Sequence, residues 1–153
     1  MKGQLSIEFM VVLTGLLLIV ATVTVPLYDQ ARADAEKITE LADAGGAANT
    51  IANALNTVYA GGVGSKQTVE YMLPDDVISI SFVSGAENRL DIEIRLNFET
   101  DNAIRVGTIL PNRTDENRVV VDNENFSLGH GLHRMTFTYE YQNNLRLIEI
   151  KEA

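Results

Sequence analysis

Residues 9–28 read FMVVLTGLLLIVATVTVPLY, and residues 29–62 continue DQARADAEKITELADAGGAANTIANALNTVYAGG. The first stretch holds 20 residues without a charge. As a helix rising about 1.5 Å per residue it spans roughly 30 Å, the thickness of a hydrocarbon core. In the second stretch Ile38, Leu41, Ala48, Ile51, Leu55 and Val58 recur at spacings of three, four or seven, which predicts an amphipathic helix. Gly61 and Gly62 suit a left-handed cap at its end. Read together, the two stretches form one helix of more than 50 residues. Such a length belongs to a bundle or a filament, because the apolar surface must find partners. Pro26 removes a backbone donor and suggests a kink. Gly45 and Gly46 suggest a bend rather than a break, since the apolar stripe resumes in phase beyond them.

Beyond a linker at 63–67, the period changes to two. In LDIEIRLNF (90–98), Leu90, Ile92, Ile94, Leu96 and Phe98 face one way, while Asp91, Glu93, Arg95 and Asn97 face the other. This predicts a half-buried strand with one wet face. MTFTYEY (135–141) repeats the alternation, and Asn143–Asn144 suits a tight hairpin into LRLIEI. Further strands are predicted at 69–73, 77–83, 104–110 and 118–121. The fold class is therefore α+β: a long N-terminal helix over 4–62, then a small antiparallel sandwich or barrel-like head over 68–153.

Composition narrows the chemistry. The chain has 153 residues, a formal net charge of −9 and no cysteine. An acidic chain without a basic cluster lacks the electrostatic footprint of a nucleic-acid binder. The absence of thiols excludes disulfides and thiolate metal sites. His130 and His133 in HGLH lack further ligands at zinc spacing and read as loop or strand histidines. GGVGSK (61–66) places its lysine after the serine, unlike a phosphate loop. The acidic stretches RTDEN (113–117) and DNEN (122–125) lack the calcium-loop alternation. No nucleophile elbow supports a Ser/His/Asp site. We expect no enzyme, no cofactor and no metal.

Glu8 is the one charge between Lys2 and Asp29. At the edge of hydrocarbon a carboxylate costs roughly a few kcal/mol unless it meets water or a cation, so it asks for a partner. The stretch KGQLSIEF (2–9) resembles the processing site of archaeal type IV pilins of the class III signal-peptide group. The resemblance implies a leader of residues 1–3 and a cut by prepilin peptidase between Gly3 and Gln4. It places Ser6 third and Glu8 fifth in the mature chain. By the same resemblance, the new amine of Gln4 and the Glu8 carboxylate of an adjacent subunit neutralise each other as helices pack. A buried ion pair is a weak source of stability but a good device for register.

The filament core would then comprise Leu5, Ile7, Phe9, Met10, Val12, Leu13, Leu16, Leu17, Ile19, Val20 and Val23. The implied partners are further copies of the chain in a helical homopolymer, prepilin peptidase, a pilus assembly ATPase and a membrane platform protein. Lys2 before the apolar run, and Asp29 after it, place the N-terminus in the cytoplasm while the chain is in the cytoplasmic membrane. The assembled product would be an extracellular adhesive filament. Two sequons, at Asn112 and Asn125, fall in turns where a glycan fits, and the resemblance strengthens that expectation. Two other readings remain open from the residues. One is a minor pilin or membrane-anchored adhesin. The other is a secreted β-domain released by ordinary signal cleavage near Ala33.

Overall fold

A computed structural model describes residues 2–98, 103–111, 119–121, 129–142 and 145–152. The chain forms two compact units, Met1–Thr39 and Glu40–Ala153. Helix α1 runs over Lys2–Gly61, 60 residues, with Pro26 inside it. Pro26, lacking an N–H, withholds one bond from the carbonyl four residues earlier, yet the helix continues. Gly45 and Gly46 are likewise helical, so the glycine pair does not break the element.

The first unit is helix alone. Two threonine hydroxyls in the apolar run turn inward to the backbone: Thr14 Oγ1 donates to the Met10 carbonyl at 2.7 Å and Thr22 Oγ1 to the Leu18 carbonyl at 2.6 Å. Each bond satisfies a polar group within the helix, which an apolar surrounding requires.

The second unit joins the last turns of α1 to seven strands: β1 Lys66–Leu73, β2 Val77–Ser84, β3 Arg89–Leu96, β4 Ala103–Pro111, β5 Val119–Val121, β6 Gly131–Gln142 and β7 Leu145–Glu152. They form one sheet in the order β1-β6-β7-β5 and another in the order β2-β3-β4. The architecture is α+β, a long helix followed by two small sheets. All pairings are antiparallel except β5 with β7, which run parallel. No hairpin links β5 to β7, so nothing in the connection imposes the antiparallel sense.

Gln142 pairs with Leu145, which leaves two residues between β6 and β7. That is the register of a two-residue hairpin. Asn143 and Asn144 themselves lie outside the described residues. The expected linker at 63–67 is shorter in the structure, because Lys66 and Gln67 already pair with Thr138 and Phe137.

The core is shared by helix and sheets. Ala44, Ala47, Ala48, Ile51, Leu55 and Val58 are buried on α1, together with Leu73, Ile92, Ile94, Leu110, Met135, Phe137, Ile148 and Ile150 from the strands. The expected stripe began at Ile38, but that residue is 67% exposed, and burial begins at Leu41. Its position explains the difference: Ile38 belongs to the first unit, and the head core belongs to the second.

Candidate functional site

The apolar half of α1 is the feature that the head does not explain. Ile7, Phe9, Met10, Val12, Leu13, Leu16, Leu17, Ile19, Val20 and Val23 are all solvent-facing, from 39% exposed at Leu13 to 70% at Val12. So are Val11, Leu18, Val25, Leu27 and Tyr28. Consecutive helical residues step by about 100°, so the run Leu16–Val20 covers the whole circumference. An interfacial helix has a polar face, whereas this one is apolar all round.

Each such side chain gains about 1.5–3 kcal/mol when fully removed from water. Their sum drives the segment out of water. The helix is long and apolar enough to cross a membrane, and its apolar window is not buried within the chain. It is compatible with membrane insertion.

Glu8 stands exposed at the start of this run, on helical backbone. Gly3, Gln4 and Leu5 are also helical in backbone. Gln4 and Glu8 are therefore one turn apart, on one side of the helix. Tyr28 closes the apolar run at its other end, before the charged segment in which Arg32 Nε donates to Glu36 Oε1 at 3.0 Å. That pair is exposed and contributes little to stability.

The sequons at Asn112 and Asn125 lie outside the described residues. His130 and His133 are not brought together. His130 Nδ1 lies 2.9 Å from Asp75 Oδ1 at the surface, while His133 is buried, stacked on Tyr71 at 5.8 Å and bonded through Nε2 to the Gly129 carbonyl. Among the described residues no cluster of His, Cys, Asp and Glu has the makings of a metal site.

One polar cluster was not visible in the sequence. Glu93 was expected on a wet face, but its side chain is 1% exposed. The residue sits between two arginines: Arg95 Nε donates to Oε1 at 2.6 Å and Arg105 Nε to Oε2 at 2.5 Å. Arg95 is two residues along β3, on the same face, and Arg105 is the cross-strand partner on β4. Their long side chains cover the carboxylate while remaining half exposed themselves. The Arg95 hydrogen bond, helped by Arg105 and opposed by burial, holds the Glu93 carboxyl below its ordinary range. The signal existed as Glu93-x-Arg95, but the second arginine required the β3–β4 register.

Compared with protein-family models, curated proteins and solved structures, the chain matches none of them.

Proposed function

We propose that this chain is the structural subunit of an archaeal type IV-like pilus, and that polymerisation through the N-terminal half of α1 is its activity. The single observation that carries the reading is the exposed, all-round apolar helix with one carboxylate, Glu8, at its mouth. Such a surface is tolerable in two settings, a bilayer and a bundle of like helices, and a pilin passes from the first to the second. Glu8 separates this reading from a plain anchor, because an anchor has no use for an unshared charge at that depth.

In the proposed sequence, the chain inserts with its N-terminus inside and prepilin peptidase cuts between Gly3 and Gln4. The Gln4 amine is then available to the Glu8 carboxylate of a neighbouring copy. Charge balance is simple: ammonium meets carboxylate, and the two charges neutralise each other among the packed helices. As the subunit is extracted, Leu5, Phe9, Leu13, Leu16 and their neighbours exchange lipid for other helices. The assembly ATPase and the platform protein supply the work, and the head forms the filament's outer surface.

The experiment is Glu8→Ala in the full chain, expressed in a cell that assembles the filament. Membrane insertion and trimming should persist while sheared filaments fall to a small fraction of the wild-type yield. Wild-type filament yield from this variant would refute the pairing role of Glu8.

A further inference from the structure

Pro26 sits within α1 and within the uncharged run that ends before Asp29. Having no N–H, it gives nothing to the Thr22 carbonyl, which in a regular helix takes its bond from the fourth residue on. Membrane helices repair such a gap with a serine or threonine hydroxyl, which reaches back three or four residues. Here those positions are Val25 and Pro26. The helix therefore holds no local side-chain donor for this acceptor.

The helix runs through the site without interruption, and Thr22, Thr24 and Pro26 are all exposed. Thr22 lies seven residues before Asp29, about 10 Å along the axis inside the apolar run. In a bilayer or a helix bundle that depth is dry. A carbonyl left alone there is costly, so its donor has to come from another chain.

The candidates are few. Between Phe9 and Tyr28 the side-chain donors are Thr14, Thr22, Thr24 and Tyr28. Thr14 and Thr22 already give their hydroxyls to the carbonyls of Met10 and Leu18. Tyr28 ends the run, at the level where tyrosine keeps its hydroxyl among headgroups and water. Thr24 remains: among the described residues its hydroxyl makes no back-bond of the kind that occupies the other two threonines.

Placement on the helix decides what kind of contact this donor and acceptor make. Thr22 and Pro26, four residues apart, share one face, whereas Thr24 is turned by about 200° from either and faces the opposite way. A two-fold pair buries the same patch on both copies, so it cannot join opposite faces. A heterologous contact can, with each copy giving to one neighbour and receiving from another, and such contacts propagate into open helical polymers.

We propose that in the filament the Thr24 hydroxyl of each copy donates a hydrogen bond to the Thr22 carbonyl of a neighbouring copy. The inference names a contact within the filament reading and rests on that reading. Glu8 then fixes neighbours at one end of the apolar run, and this bond fixes them near the other.

The test compares sheared filaments of the full chain carrying Thr24→Val, Thr24→Ser or Tyr28→Phe, with subunit release in detergent followed by sedimentation. Thr24→Val keeps the side chain's shape and removes its donor, so release should be about three- to tenfold faster than in wild type. Thr24→Ser and Tyr28→Phe should release at the wild-type rate. With Pro26→Ala, an N–H at position 26 closes the bond within the helix, and Thr24→Val added to it should lose most of its effect. Wild-type release from Thr24→Val, a Thr24→Ser rate as fast as that of Thr24→Val, or an undiminished effect beside Pro26→Ala would overturn the proposal. If Pro26→Ala forms no filaments, the first two comparisons decide.

A chain that forms no filaments at all would refute the pilin reading, and the contact is then scored by amine cross-linking of the full chain in lipid vesicles. Thr24→Val should lower the cross-linked fraction by about threefold, and Thr24→Ser should leave it unchanged. A wild-type chain that stays monomeric there, or equal cross-linking of Thr24→Val, would overturn the inference itself.

Discussion

Glu93 and Arg105 face each other across β3 and β4, and the arginine Nε donates to the carboxylate Oε2 at 2.5 Å. With Arg95 on the other oxygen, both sides of a buried carboxylate are satisfied by half-exposed cations. Removing Arg105 leaves Glu93 with one partner on an otherwise covered site. Arg105→Ala should therefore destabilise the head by about 1–3 kcal/mol, less than for a fully buried pair because water reaches the arginines. Chemical denaturation in micelles measures the difference, and a change within error would mean that the pair is only a surface contact.

The same carboxylate sets a pH dependence. Its folded pKa lies below the unfolded value of about 4.3, so the unfolded chain binds the proton more readily in the window beneath that value. The stability from Glu93 is complete above the unfolded pKa and is lost as pH falls through the folded one. Wild type should exceed Glu93→Gln in stability at pH 7, and the gap should close as the pH is taken well below about 4. A gap that stays constant with pH would contradict the assignment.

Tyr71 titrates late for the opposite reason. Its ring is buried against His133, its hydroxyl has no hydrogen-bond partner among the described residues, and burial, with the Glu152 charge behind it, pushes its pKa up to about 12. Absorbance titration should show a tyrosine missing from the main transition near pH 10. Because the folded protein holds this proton longer than the unfolded chain, stability should decline between about pH 10 and 12. Tyr71→Phe should remove the late step and leave stability at neutral pH equal or higher, since it deletes a buried polar atom without a partner.

The two halves of α1 should respond differently to truncation. Ile51 is fully buried in the head core, and Ile51→Ala should cost about 2–5 kcal/mol in head stability. Leu17 is 60% exposed, and Leu17→Ala should leave the head's melting temperature unchanged. On the filament account, Leu17→Ala should instead lower the temperature at which filaments dissociate. An Ile51→Ala head as stable as wild type would contradict the core described above.

Much of this fold was legible in the sequence because two periodicities carried it. Leu90, Ile92, Ile94 and Leu96 announced β3 by simple alternation, and Ile51, Leu55 and Val58 announced the buried helix face. What escaped depended on non-local placement. Ile38 fits the stripe by spacing but lies outside the compact head, so its side chain meets no core. Glu93 alternates as a wet residue, yet a cross-strand arginine twelve positions away covers it. The direction of β5 has no local signal at all, because three residues, Val119–Val121, pair with a strand more than twenty positions later. The apolar run and Glu8 were legible because chemistry there is local: an uncharged stretch with one carboxylate at its edge.

The central claim is that the apolar helix is retained and trimmed at a single bond to make a polymer. N-terminal sequencing and intact mass of the protein in sheared cell-surface material test it most directly. The account predicts a start at Gln4 with the apolar run intact. A start near Asp34, with that run removed, would contradict it and would make the first stretch a discarded export signal.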